Sequence, residues 1–332
     1  MEYTTLGSTG TTVSRICLGC MGFGDPGWRD WVIDEAAARP IIERAIDAGI
    51  TFFDTANVYS YGESERILGS VLGEHDRDRF VVATKAHRQM DPENPNSGGL
   101  SRKALDQELA NSLDRLGMET VDLYQLHNWD RATPIGETLR ALDDAVRRGR
   151  VRHLGASSMW TYQFATALRE SDLHGLERFA TMQAHYNAVY REKEREMIPF
   201  CAREGIGVLP YSPLARGYLA RPHGEFADTR RGEYTAEVRD DYMPERVREY
   251  GRNGGREINA RVAELAEEYG VSMAQMALAW LLDREAVDAP IVGVTSPEHV
   301  DEAVEALEVS LAPSDAEYLA EPYRPGPVLG HE

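Results

Sequence analysis

Lysine is nearly absent from this chain. Of 36 basic residues in 332, only Lys85, Lys103 and Lys193 are lysines, and arginine supplies the rest. Against them stand 55 Asp and Glu, for a formal net charge of −19. That balance argues against a nucleic-acid or anionic-membrane partner, because phosphate binding requires clustered Lys and Arg. As a hypothesis, so acidic and lysine-poor a surface suits a salt-rich cytoplasm, in which salt screens self-repulsion. Stability that holds without added salt would count against it.

Long apolar runs are missing as well. None approaches the ~20 residues of a membrane span, and Met1-Glu2-Tyr3-Thr4 lacks the basic-then-apolar start of a secretory signal. A cytoplasmic location is therefore expected. Cysteine is limited to Cys17, Cys20 and Cys201, too few for a fully paired disulfide framework. Cys17 and Cys20 have C-x-x-C spacing but flank a strand end rather than opening a helix, so neither a redox pair nor, without a second matching pair, a metal site is expected.

What is present is a rhythm. Residues 3–16 read as a hairpin around Gly7-Ser8-Thr9-Gly10. Short β-branched or aromatic runs then alternate with helical patterns. The strands fall at 16–18, 50–53, 80–84, 121–126, 151–156, 179–183, 206–209 and 289–292. The helices fall at 34–48 (with Pro40 expected to kink it or delay its start), 63–72, 101–116, 135–148, 161–169, 192–203, 256–269, 272–283, 297–307 and 313–321. Eight strands alternating with helices imply parallel pairing through right-handed crossovers. At this length a closed (β/α)8 TIM barrel fits better than an open sheet. One α/β domain spanning 1–332 is expected, with long loops at its C-terminal face, 218–255 long enough for a lid, and 322–332 a loose tail.

In such barrels the loops after the strands build the active site. The second strand, Ile50 to Phe53, stops at Asp54 and is followed by Tyr59. The third is followed by Lys85 and the fourth by His127. Each has a bland alternative: a strand-end cap, a packing phenol, a snorkelling lysine, a satisfied core histidine. Convergence of all four on one mouth favours chemistry.

At these residues the chain resembles the aldo-keto reductases, NAD(P)(H)-dependent oxidoreductases on a (β/α)8 barrel. The resemblance runs from about residue 2 to residue 310. It is carried by Phe53-Asp54-Thr55-Ala56-x-x-Tyr59, Thr84-Lys85, Leu126-His127, Gly155-Ala156-Ser157-Ser158, Gln183, Tyr211-Ser212-Pro213-Leu214-Ala215-Arg216-Gly217 and Pro290-Ile291-Val292-Gly293. It implies that Asp54, Tyr59, Lys85 and His127 are catalytic, with Tyr59 the proton donor to a carbonyl reduced by hydride transfer. The physical reading agrees. A phenol of pKa ~10 keeps its proton at neutral pH, and an ammonium at Lys85 would lower that pKa. Asp54 would keep Lys85 charged, and His127 would orient the carbonyl.

The resemblance also places the nicotinamide against Ser157, Ser158, Gln183, Tyr211, Met21 and Gly22. The Gly-rich fragment 19–24 does not match G-x-G-x-x-G, so a Rossmann site is not expected. The phosphate site of a barrel lies after its last two strands. Here those loops carry Ser212, Pro213, Leu214, Arg216 and Gly217, then Gly293, Thr295, Ser296 and His299. Two departures stand out: Ser158 replaces a frequent Asn, and Ala303 falls where relatives carry an adenine-binding Asn. The usual Lys or Arg for a 2′-phosphate is missing from 294–299, leaving NADP the expected cofactor and NAD open.

Trp28 and Trp129 are expected to line a substrate pocket, with Trp31 and Trp160 as further aromatic walls or, equally, packing under loops. The substrate is an aldehyde or ketone. Two other readings remain: a nicotinamide-binding regulatory or sensor subunit, and an NAD-dependent sugar or alcohol dehydrogenase.

Overall fold

The computed structural model describes residues 1–223, 225, 250 and 254–328. It opens on an antiparallel hairpin, β1 (Tyr3–Thr5) and β2 (Thr12–Ser14), with Tyr3 opposite Ser14. Eight parallel strands follow: β3 (Cys17–Gly19), β4 (Phe52–Asp54), β5 (Val81–Ala86), β6 (Val121–Leu126), β7 (Val151–Ser157), β8 (Phe179–His185), β9 (Gly207–Tyr211) and β10 (Ile291–Gly293). They close in the order β10-β3-β4-β5-β6-β7-β8-β9, a (β/α)8 TIM barrel. Every residue of β5, β6 and β8 is buried, as expected of a parallel sheet covered on both faces.

The outer layer comprises α1 (Glu35–Asp47), α2 (Glu63–Leu72), α3 (Arg102–Leu116), α4 (Ile135–Arg147), α5 (Thr161–His174), α6 (Met197–Glu204), α7 (Arg256–Tyr269), α8 (Met273–Leu282), α9 (Pro297–Glu305) and α10 (Pro313–Ala320). None of the described helices is long and apolar enough to cross a membrane.

The barrel interior is a separate apolar cluster, in which Cys17, Phe52, Val81, Ala83, Leu123, Leu209 and Ile291 meet Leu6 and Val13 of the hairpin. The hairpin thus plugs the N-terminal mouth. Gly7, at φ +56°, donates its N–H to Asp288 Oδ2 at 2.7 Å. A Cβ there would sit 2.5 Å from the Ala180 carbonyl oxygen, so only glycine closes this turn. With the bottom sealed, the opposite mouth is left for function.

Three expectations need correction. Pro40 neither delays nor breaks α1, which starts at Glu35 under an Asp34 cap. Both Pro40 and Ala36, whose carbonyl loses its helical donor, are exposed, so water can satisfy the freed oxygen. The helix expected at 192–203 is split into a 3-10 turn at Glu192–Arg195 and α6, with Glu196 non-helical at φ −143°. The break directs buried Glu192 inward, where Oε1 accepts from Tyr323 Oη at 2.6 Å and Gly326 N at 2.7 Å. Those bonds also tie down the tail through Gly326, in place of a loose segment from 322. Most of the lid expected at 218–255 lies outside the described residues.

Candidate active site

Side chains alternate across a strand, so residues two beyond the interior layer also point inward, one level higher. Phe52, Ala83, Leu123 and Leu209 belong to that layer. Asp54, Lys85, Gln125 and Tyr211 therefore stand above it, and Lys85 lies opposite Gln125 in the β5–β6 register.

The level is knit by side-chain bonds. Lys85 Nζ, wholly buried, donates to Asp54 Oδ2 at 2.6 Å, the Thr55 carbonyl at 2.8 Å and Tyr59 Oη at 3.3 Å. It also lies 4.9 Å from the Tyr59 ring centroid. Asp54 Oδ1 accepts from Gln125 Nε2 at 2.8 Å and Gln183 Nε2 at 2.9 Å. Tyr59 meets His127 edge-on, with ring centroids 5.8 Å apart and planes at 87°. All four groups expected to converge are thus together.

The loop that presents Tyr59 is rigidly shaped. Ser60 and Tyr61 adopt left-handed backbone, φ +47° and +51°, ahead of Gly62 at +98°. Two consecutive non-glycine residues in that region are unfavourable, and buried bonds hold them. Thr55 Oγ1 pairs with Ser64 Oγ at 2.8 Å, Ser64 Oγ donates to the Cys20 carbonyl at 2.7 Å, and Asn57 Nδ2 donates to Glu108 Oε2 at 2.8 Å.

Charge follows geometry. Burial alone would lower the Lys85 pKa, but Asp54 and then Tyr59 outweigh it, and it is pushed up to about 12. His127 is held well below its ordinary value by burial and by the positive charges of Lys85 and Arg88. Both causes favour the neutral imidazole, and its Nδ1 is buried and unbonded among the described residues. Tyr59 departs from expectation. Lys85 does pull its pKa down, but burial pushes harder, and the net direction is up. Cys17 and Cys20, both buried, are held as thiols chiefly by desolvation.

Above these groups opens a cavity of about 1390 Å³, larger than the ~300–1,000 Å³ of ordinary small-molecule sites. One half of its wall carries Asp54, Tyr59, His127, Met21, Gly22 and Trp28; the other carries Ser157, Ser158, Gln183 and Tyr211. The loops after β9 and β10 add Ser212, Pro213, Leu214, Arg216 and Gly217, then Gly293, Thr295 and His299. Ser157 Oγ lies 3.2 Å from Ser158 Oγ, and Tyr211 is backed by His185 at 5.1 Å with rings 10° from parallel.

Two expected residues fall elsewhere. Trp129 packs, half-buried, against the main hydrophobic core rather than lining the cavity; following His127 in sequence did not fix the direction of its ring. Ser296 sits at the N-cap position of α9 without a side-chain capping bond, and its hydroxyl engages the Glu298 carboxylate. Sequence reasoning missed Arg29, Tyr61, Arg88, Asn128 and Arg221 on the wall, and Gln125 beneath it. Only Gln125 had a signal, its inward parity two residues after Leu123.

The aldo/keto reductase family profile matches residues 15–324. The chain is 40% identical to versiconal hemiacetal acetate reductase of Aspergillus parasiticus, over 98% of each protein. It is also 40% identical to the aldo-keto reductase dtxS3 of Metarhizium robertsii, over 100% of this chain and 93% of that protein. A Schizosaccharomyces pombe protein, provisionally named an aryl-alcohol dehydrogenase, is 40% identical over 99% and 97%. The chain belongs to the aldo/keto reductase family and is an NAD(P)H-dependent oxidoreductase of small-molecule carbonyls.

Proposed function

We propose that Tyr59 is the proton donor of a reductase acting on aryl aldehydes or ketones, with NADPH as the preferred reductant. The observation that carries this reading is the contact of Tyr59 Oη with Lys85 Nζ at 3.3 Å, beneath the cavity floor. A buried ammonium there favours negative charge on the phenol oxygen as the proton departs. Asp54 and the Thr55 carbonyl hold that ammonium in place, and Gln125 and Gln183 fix Asp54 in turn. His127, neutral, can still donate one ring N–H to a carbonyl oxygen and so set its angle.

The residues present fit a nicotinamide dinucleotide. Tyr211 offers the cavity a ring braced from behind by His185. Ser157, Ser158 and Gln183 offer polar groups for a carboxamide, and Arg216, Arg221 and His299 line the wall for phosphates. When bound, the dinucleotide supplies the hydride. The preference for NADPH rests on those two arginines, since a 2′-phosphate requires cations. The aryl preference rests on Trp28, Trp31 and Tyr61 on the wall, in keeping with an aryl-alcohol dehydrogenase among the relatives' names.

Tyr59→Phe tests the reading. It should lower kcat for an aryl aldehyde by about 10²–10⁴, the usual worth of a positioned proton donor. Because burial raises the Tyr59 pKa above its usual ~10, wild-type reduction should not fall through neutral pH and should decline only under strongly alkaline conditions, as Tyr59 loses its proton. Turnover retained in Tyr59→Phe, or a wild-type decline near pH 7, would sink the assignment.

A further inference from the structure

The charge of the cavity runs against that of the chain. Overall Asp and Glu outnumber Lys and Arg by 55 to 36, yet the wall carries Arg29, Arg88, Arg216 and Arg221 against only Asp54 and Glu302 among the described residues. Arg216 and Arg221 follow β9, on the side where a dinucleotide would lie. Arg29 follows β3 and Arg88 follows β5, across the barrel beside Tyr59 and His127. On that side Asp54 is the one carboxylate of the described wall, and it is committed to Lys85.

Arg88 stands out further. Most of the described arginines meet a carboxylate, as Arg77 meets Asp122 at 2.5 Å and Arg115 meets Glu65 at 2.6 Å. Arg88 has no hydrogen bond or ion pair among the described residues, although acidic side chains are abundant. It is exposed at the cavity wall, a few residues after Lys85, and near enough to His127 to contribute to its lowered basicity. A guanidinium in that position presents a planar fork of donors suited to a carboxylate. Across the same wall, Arg29 lies 4.8 Å over the Trp28 ring, extending an aromatic surface on which a flat substrate can rest.

We infer that the natural carbonyl substrate is an aromatic aldehyde or ketone bearing an anionic group, and that Arg88 binds that anion. This rests on the carbonyl-reductase reading above. Arg88 would act by fixing the far end of the substrate while Tyr59 and His127 address the carbonyl, so its contribution belongs chiefly in KM. A substrate without the anion would leave the guanidinium solvated and gain nothing from it.

The test compares 4-carboxybenzaldehyde with its neutral methyl ester, using the full chain and NADPH. The wild-type enzyme should favour the acid in kcat/KM by about tenfold or more, the worth of one charge-assisted hydrogen-bonded pair. That preference should shrink as salt is added. Arg88→Gln should cut the acid-to-ester ratio about tenfold, mainly through the KM of the acid, and Arg88→Lys should recover part of it. The ratio isolates the anion, because any effect of Arg88 on His127 or on folding is shared by both substrates. Terephthalate and dimethyl terephthalate supply a readout without turnover: quenching of tryptophan fluorescence should show the diacid bound more tightly, and less so in Arg88→Gln. A wild-type enzyme indifferent to the carboxylate, or a ratio unmoved in Arg88→Gln, overturns the inference. Failure to reduce even the ester would instead count against the carbonyl-reductase reading, and the binding comparison still decides on Arg88.

Discussion

The two sides of the cavity are held by different means. On the β4–β6 side, side chains fix one another. Lys85 Nζ has three partners and Asp54 is gripped by Lys85, Gln125 and Gln183, all buried. On the β9–β10 side the wall is shaped by backbone. Ser212, Ala215, Arg216 and Gly217 all have positive φ, from +48° to +95°, and Asn187 Nδ2 clamps the Ser212 carbonyl at 2.9 Å. One side chain there is loosely engaged: exposed Thr295 meets His299 at 3.4 Å. Chemistry needs a proton donor and an oriented carbonyl placed to a fraction of an ångström, which interlocked side chains provide. Phosphate binding can be served by N–H groups and a smooth concave backbone. Side-chain deletions should therefore be severe on the first side and, outside the cationic Arg216 and Arg221, mild on the second.

Lys85→Met should show the largest effect. It removes the cation beside Tyr59 and leaves Asp54 buried without its partner. Loss of one member of such a pair costs about 3–5 kcal/mol of stability, and kcat should fall by about 10³. The double variant Lys85→Met, Asp54→Asn separates the two effects. Chemical denaturation should show stability largely regained, with turnover still lost. If the double variant recovers activity, side-chain interlock on this side is structural only.

Gln125→Leu comes next. It leaves Asp54 Oδ1 with Gln183 alone and should destabilise by about 1–3 kcal/mol. Because Asp54 would then hold Lys85 less firmly, kcat should fall about tenfold with the KM of a neutral aldehyde little changed. Gln125 is a positioning residue, so the kcat-against-KM split is the informative readout.

The contrast between the two sides also governs what could be read from sequence. Strand-end chemistry was legible because Asp54, Lys85 and His127 each follow a short apolar run, and such runs are the plainest signal in an α/β chain. Gln125 was passed over although its parity with Leu123 points it inward. The rising net pKa of Tyr59 was not legible, since burial is a property of the packed loop and not of the Tyr–Lys pairing. Arg88 lies in a loop beyond β5, and no periodicity tells which way a loop side chain faces. Trp129 shows the same limit from the other direction: next to His127 in sequence, it packs into the core. Glu192, just before the break at Glu196, bonds Tyr323 and Gly326 more than a hundred residues downstream, and no local pattern announces those partners.

The smallest effects should come from the uncharged residues of the β9–β10 side, and they test whether backbone, rather than side-chain hydroxyls, shapes binding there. Gly217 sits at φ +95°, and a β-branched residue in the left-handed region costs roughly 1–2 kcal/mol or more. Gly217→Val should therefore raise the Kd for NADPH about 5- to 20-fold, measured by fluorescence titration, through displacement of the 212–217 turn. Thr295→Ala deletes a hydroxyl that is exposed and already loosely paired, so water can replace it at little cost. Its Kd should rise less than threefold. If Thr295→Ala proves as damaging as Gly217→Val, the hydroxyl makes a specific bond to the cofactor, and this side of the cavity works by side chains after all. If both are mild, the turn tolerates a Cβ by relaxing, and the left-handed residues Ser212, Ala215, Arg216 and Gly217 shape the turn for packing and not for the phosphates.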